Sequence, residues 1–432
     1  MNVETIGHAG MLLRDAADRP LLFTDPWLRG SCYWRSWWLQ HYPEPAVVEE
    51  IRRVPYCYVT HEHPDHFHTA SIRLFDRSVH FLTPDLPHQR MAGYLAGQGF
   101  PVTRLPALQW HALGPGVRVL SIPLFNDDSA LVVDTPDAVL IDLNDSKPRR
   151  GQVAQLSASL DRACAGKRRV LLSSYSPASI VNSFVRGSQR VSLRQKPDYV
   201  RYVCDLCRLL KADDFLPFAS QVIFRRADST WANAFKVTFD DLRQHWSADT
   251  TRLLPPYTRL DLDTGTCTSV APEQYRHDEP GAAAKVEAQQ ALDAAARFDD
   301  EDVERLRRKL NHGRWLFALL FPKGIGVSLE TATLHYNPWR GTIERGRAAG
   351  DFVLRVPAQA FKEAVQYGHF ADMGTTMFTI VTLNGSLHPR RVYLFFMIMA
   401  LHDAGHTISL ANAAEWVRNV LRVQQWRVPE ER

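Results

Sequence analysis

Tyr56-Cys57-Tyr58-Val59-Thr60-His61-Glu62-His63-Pro64-Asp65-His66 is the stretch on which the reading of this chain turns. An aromatic and β-branched run leads directly into three imidazoles and two carboxylates. The run predicts a strand, and two-residue alternation at its end sets His61 and His63 on the same side, both able to face one ion. Asp65 and His66 follow in the turn, placed to face a second ion nearby. Neutral imidazole is a common metal ligand, and ligand types at this spacing predict a metal site instead of a chance histidine cluster on a loop.

Working outward, further strand-like runs occupy residues 3–13, 21–24, 79–83, 117–123, 130–134, 138–143 and 170–173, with Pro, Gly and Asp between them. Helical stretches are read at 87–97, 152–165 and 199–210. Strands in this number, interrupted by helices, predict an α/β (α+β) chain of packed sheets covered by helices.

The order His-x-His-x-Asp-His resembles the signature of the metallo-β-lactamase superfamily. That resemblance implies an αββα sandwich over residues 1–248 and a dinuclear centre held by His61, His63, Asp65 and His66. It also implies a bridging carboxylate at a later strand end. Asp145, in Leu140-Ile141-Asp142-Leu143-Asn144-Asp145-Ser146, stands where the bridge is expected, with Asp142 as the fallback. Two cations favour a bridging carboxylate, because each oxygen binds one metal while its charge offsets their repulsion. The usual third histidine is missing. Pro123-Leu124-Phe125-Asn126-Asp127-Asp128-Ser129 occupies its place, so either Asp127 or Asp128 is a ligand, or both only shape a turn. A carboxylate there gives an oxygen-rich set that suits iron or manganese better than zinc. His111 is a further candidate ligand. No histidine stands at the last ligand position either, which leaves Asp228, water and substrate, or the charge of Arg226 in its place.

Two more stretches narrow the resemblance. Ile6-Gly7-His8-Ala9-Gly10-Met11-Leu12 with Leu22-Phe23-Thr24-Asp25-Pro26-Trp27-Leu28 resembles the opening of the branch holding L-ascorbate-6-phosphate lactonase and the N-acyl-phosphatidylethanolamine phospholipases. Asp25 would then brace the metal ligands as an acceptor. Asp25-Pro26-Trp27-Leu28-Arg29-Gly30, Trp37-Trp38-Leu39-Gln40-His41, Leu216-Pro217-Phe218-Ala219 and Asp145-Ser146-Lys147-Pro148 resemble the non-Rieske part of the CMP-N-acetylneuraminate hydroxylases. The Cys-x-His and Cys-x-x-His pairs of a Rieske centre do not occur, so oxygenase chemistry would need an external electron donor or electrons from the substrate. Trp37, Trp38 and His41 are either packing at the mouth of the sandwich or a substrate-binding wall.

At 432 residues, and with roughly 150 residues per domain as a guide, the chain predicts two or three domains. A connecting segment is expected at 249–282 and a helical or α+β second domain at 283–432. Its strand-helix-strand layout resembles sterol-carrier-like modules, and a lid or homodimer surface is its expected role. Residues 283–311 read as strongly helical, 352–356 and 377–383 as strands, and 357–367, 392–404 and 412–423 as helices. His402 and His406 read as a helix end.

Hydrophobic residues make up 45% and charged ones 23%, and no apolar run approaches the roughly 20 residues that span a bilayer. A net charge of +4, with Lys and Arg dispersed, gives no nucleic-acid stripe, and residues 186–196 read as a basic solvated loop with a possible reach to an anionic substrate. Six scattered cysteines and no leader-like N-terminus predict a reduced, cytoplasmic protein, with Cys204 and Cys207 as buried apolar residues.

The sequence expectation is therefore a metal-dependent enzyme acting on a small molecule: an O2-dependent monooxygenase-like hydroxylase with two irons. Asp65 and Asp145 would be catalytic, with Arg226 supplying charge. The alternatives are a zinc- or manganese-dependent hydrolase of a phosphodiester, lactone or amide, and a scaffold whose metal site has decayed.

Overall fold

The computed structural model describes residues 1–86, 88–124, 127–177, 179–269, 279–406 and 429. The helix read at 412–423 lies outside them.

Two mixed sheets face each other. The first runs Cys267–Ser269, Thr258–Asp261, Asn2–Ile6, Gly10–Arg14, Pro20–Thr24, Tyr56–Tyr58, His80–Pro84, Val102–Leu105. The second runs Arg252–Leu253, Asp214–Phe218, Arg168–Ser174, Ala138–Asp142, Ser129–Asp134, Val117–Pro123, Trp110–Gly114. Alternation along single strands explains why these runs are apolar throughout. Leu140 points into the layer between the sheets with Val3, Leu13, Tyr58, Val170 and Leu216. Its neighbours Val139 and Ile141 point the other way, against the helices Arg150–Ala163 and Lys196–Leu210. A strand buried on both faces needs apolar residues at every position. On the far side, Leu12, Phe23, Cys57 and Phe81 pack against the helices Pro45–Ile51 and Arg90–Gly97. The layers are therefore helix, sheet, sheet, helix. Cys204 and Cys207 are buried free thiols in the helix-facing core.

The stretch read as connecting contributes to the fold. Thr258–Asp261 pairs antiparallel with Asn2–Glu4 at the edge of the first sheet, and Cys267–Ser269 extends it. Short edge strands rich in Thr and Asp lack the apolar alternation that reveals inner strands.

A third sheet runs Gln189–Val191, Phe184–Arg186, Ile380–Leu383, Phe352–Arg355, Ile325–Ser328, Thr333–Asn337, Thr342–Arg345. Part of the basic stretch read as a solvated loop thus forms a hairpin, and Phe184–Val185 pair parallel with Val381–Thr382. Helices Asp300–Asn311, Arg314–Leu320, Ala358–Tyr367 and Pro389–Asp403 share its core, with Phe184, Phe317, Phe352, Phe361 and Phe395 at the centre. The helical region read as one element from 283 to 311 is two, Ala282–Ala295 and Asp300–Asn311. The second is opened by Asp299, whose carboxylate accepts from Asp302 N while the Asp302 carboxylate accepts from Asp299 N. Among the described residues, no helix is long and apolar enough to cross a membrane.

Candidate metal centre

Strand Tyr56–Tyr58 lies between Pro20–Thr24 and His80–Pro84, parallel to both, so its chain leaves the sheet at the same rim as Asp25. Asp25 N donates to Tyr58 O at 2.9 Å, at a positive φ of 40°. The second sheet meets that rim. Ser129 Oγ donates to Thr60 O at 2.7 Å, and Asn144 Nδ2 donates to Ser129 O at 2.8 Å. Tyr58 Oη and Ser129 Oγ share a hydrogen bond of 2.8 Å between the sheets. Residues from segments far apart in sequence are thereby fixed around one point.

Asp25 is fully buried and organises the motif. Its Oδ1 accepts from Thr60 N and its Oδ2 from Thr60 Oγ1, both at 2.8 Å, and Oδ2 lies 2.7 Å from His66 Nδ1. With Nδ1 engaged, His66 presents Nε2, a buried atom with no hydrogen-bond partner. It stands 3.6 Å from Asp65 Oδ2 and 3.8 Å from Asp145 Oδ2. Those separations are too long for hydrogen bonds and suit donors around a common ion, each roughly 2 Å from it.

Two convergent groups result, His8 with Asp65 and His66, and His61 with His66 and Asp145, the ligand atoms of each lying within 4.8 Å of one another. His61 Nε2 and His63 Nδ1 are 2.8 Å apart. On its other side, His61 Nδ1 lies 2.9 Å from Thr60 Oγ1 and 3.2 Å from Asp128 Oδ1. Asp65 accepts from Tyr33 Oη at 2.7 Å and sits 3.3 Å from His8 Nε2. Glu62, the motif's remaining carboxylate, faces outward and pairs with Arg90.

Electrostatics point the same way. Burial, reinforced by His66 and His63, holds His61 well below the ordinary histidine range and therefore neutral, the state a ligand needs. Burial acts against ionisation of Asp65, yet His66 and His8 hold its carboxyl well below the usual range. For His66 burial is likewise outweighed, here by Asp65 and Asp25, and its affinity for a proton is strongly raised. Carboxylates that draw a proton this firmly onto a buried imidazole create the field that a metal cation requires. The donor set and the orphaned His66 Nε2 therefore fit a metal ion, in one or both of the overlapping groups.

The structure divides the remaining candidates. Asp128 joins the cluster beside His61, whereas Asp127 turns to His406, with 3.6 Å between Oδ2 and Nε2. Asp142 ends its strand with Oδ1 accepting from Asn144 N at 2.8 Å and Oδ2 buried without a partner. His111 lies on the outer strand Trp110–Gly114 and belongs to none of the metal-capable groups among the described residues. Arg226 does not supply charge to the cluster. Its guanidinium is buried against Asp228 and Asp293, each at 2.8 Å, donates to Trp34 O at 3.0 Å and lies 4.6 Å over the Phe378 ring. Asp228, considered as a last ligand, is engaged there too. Trp38 is fully buried with Nε1 donating to Arg35 O at 2.8 Å, and His41 packs edge-on against Tyr257. Trp37 comes closer, its ring 6.2 Å from that of His8, and its Nε1 donates to Thr375 O at 3.0 Å.

Four further side chains, none predicted as a site residue, stand at or near the rim. His8 follows Gly7, which turns the chain at a φ of 63°. Tyr33 opens three successive residues in left-handed backbone, Tyr33, Trp34 and Arg35, at φ of 50°, 51° and 66°. Such strain in side-chain-bearing residues persists where surrounding structure enforces it, and here it delivers Tyr33 Oη to Asp65. Lys147 Nζ donates to Ser174 Oγ, and burial lowers its pKa to about 8, against the opposing pull of Asp145 and Asp128. Asp372, from the turn Ala371–Gly374 in the C-terminal half, is influenced by the charges of His63 and Asp65.

Four layers, two facing sheets and a His-x-His-x-Asp-His motif at their shared rim decide the architecture. The chain has the metallo-β-lactamase fold. No protein-family model matches it. Within this metallo-β-lactamase-fold chain, 67 residues are 33% identical to the cytidine monophosphate-N-acetylneuraminic acid hydroxylase of Asterias rubens, covering 16% of this chain and 10% of that one. A stretch of 161 residues is 27% identical to a putative Rieske 2Fe-2S iron-sulfur protein of Mycobacterium tuberculosis, covering 34% of this chain and 30% of that one. The matches thus span less than a third of either relative. Among solved structures, the isothiocyanate hydrolase from Delia radicum gut bacteria aligns at 15% identity and a TM-score of 0.41, over 62% of this chain and 99% of that one.

Proposed function

We propose that this protein is a metal-dependent hydrolase of a small molecule carrying a phosphodiester, lactone or amide bond. One observation carries the reading: a buried imidazole nitrogen, His66 Nε2, with no hydrogen-bond partner, is held between Asp65 and Asp145 with a neutral His61 beside it. His61, His63, His8, His66, Asp65, Asp128 and Asp145 are the residues that would hold zinc or manganese. When bound, such an ion supplies Lewis-acid polarisation and a water acidic enough to ionise near neutral pH. Asp25 fixes the His66 ring so that Nε2 faces inward, and Tyr33 fixes Asp65. Lys147 presents an ammonium beside the same carboxylates, placed to stabilise anionic charge on a substrate or leaving group.

The test is reconstitution of metal-free protein with zinc or manganese, followed by turnover of a panel of phosphodiesters, lactones and amides. Turnover that requires the metal and disappears in His66→Ala supports the reading. Metal binding without hydrolysis of any member of the panel counts against it.

A second reading, an O2-dependent hydroxylase with two irons and an external electron donor, is favoured by the short segments similar to cytidine monophosphate-N-acetylneuraminic acid hydroxylases and by the carboxylate Asp128 beside His61. Two irons per chain and oxygen consumption in the presence of a reductant would favour it over hydrolysis.

A further inference from the structure

Beside the main cluster, and sharing no residue with it, lies another convergence of metal-ligating side chains. His88 sits in the loop after strand His80–Pro84, Asp127 in the loop before strand Ser129–Asp134, and His406 just beyond helix Pro389–Asp403. Their ligand atoms all lie within 4.8 Å of one another. The two imidazoles meet edge to face with centroids 5.2 Å apart. Asp127 Oδ2 is buried, has no hydrogen-bond partner and stands 3.6 Å from His406 Nε2.

The backbone on both sides is shaped to permit this approach. Asp127 adopts a φ of 56°. Gly405 has a φ of 86°, and a Cβ there would come within 3.0 Å of the His88 ring, so glycine is what lets the helix end reach that loop. A simple ion pair between His406 and Asp127 accounts for neither the second imidazole nor the orphaned carboxylate oxygen, since 3.6 Å exceeds hydrogen-bond range.

We propose that His88, Asp127 and His406 bind one divalent transition-metal ion, of the zinc class by their two-imidazole, one-carboxylate donor set, with water completing the coordination. The ion ties the end of helix Pro389–Asp403 to the loop that carries Asp128, the neighbour of Asp127 that faces the main cluster. This site stands independently of whether the main centre is hydrolytic.

The experiment is zinc stoichiometry by elemental analysis on the full chain, equilibrated with zinc and freed of excess by gel filtration. The parent is compared with His88→Ala/His406→Ala and, separately, with Asp127→Asn, each checked for folding by circular dichroism. The expected result is one zinc fewer per chain in both variants, with the ions lost from His61→Ala/His63→Ala unaffected by the second set of substitutions. Cobalt in place of zinc should show a visible ligand-field spectrum whose component from this site disappears in Asp127→Asn. Zinc content equal to the parent's in a folded variant overturns the proposal.

Discussion

Asp25 is the residue on which the geometry of the rim most depends, because three hydrogen bonds from Thr60 and His66 converge on its two buried oxygens. Groups that orient metal ligands in this way typically contribute about 10–100-fold to metal affinity. Asp25→Asn keeps the shape but weakens the acceptor towards His66. Zinc affinity measured by chelator competition should therefore fall about 10–100-fold, and unchanged affinity would show that Asp25 does not orient the ligand. The His-x-His-x-Asp-His residues were legible in sequence because one short segment places them, whatever the remainder of the chain does. His8 and Tyr33 were not legible as rim residues, since each reaches the rim from another segment through backbone at positive φ that leaves no pattern pointing to the site. Asp127 and Asp128 mark the limit of pattern reading. Adjacent identical residues point to different partners, and only the loop's backbone decides which acid faces His61.

At the scale of elements, inner strands were read well because two-sided burial demands unbroken apolar runs, as in Ala138–Asp142. The break near Asp299 was missed because helical spacing continues on both sides of it. The residue that opens the second helix, Asp299, satisfies Asp302 N at 3.0 Å. Asp299→Ala should lower the urea unfolding midpoint, and an unchanged midpoint would mean the cap contributes nothing. Arg226, expected near the chemistry, is instead a brace between the Trp34 turn, helix Ala282–Ala295 and the Phe378 ring. Burial raises the pKa of Asp293 and its contact with Arg226 offsets part of that, so Arg226→Met leaves a buried carboxylate without its counter-charge. The expected loss is about 3–5 kcal/mol by denaturant titration. A loss below about 1 kcal/mol would show that the pair is not a brace.

For the molecule as a whole, the C-terminal half is joined to the metal rim by contacts that no local pattern announces. Trp37 donates to Thr375 and Trp34 to Glu363, and the charge of His63 acts on Asp372. His402 records the packing of that half. It stacks on His312 at 4.1 Å, and burial, with His312 and Lys309 nearby, lowers its pKa to about 4. The unfolded chain takes up a proton near the ordinary histidine value of about 6.5, whereas folded His402 does not until about 4. Stability contributed by His402 is therefore full above about 6.5 and falls as pH drops from there towards 4. Melting temperatures measured across that window should decline less steeply in His402→Gln than in the parent; parallel curves would contradict the assignment. The sequence by itself determined that packed sheets are covered by helices and where the histidine motif lies, because strand periodicity and ligand spacing are local properties, and the motif's resemblance to the metallo-β-lactamase signature pointed to the sandwich. Which carboxylates complete the rim, which arginine is structural, and that His88, Asp127 and His406 meet were decided only in three dimensions. Those groupings depend on loop angles and on the packing of segments hundreds of residues apart, which no window of sequence contains.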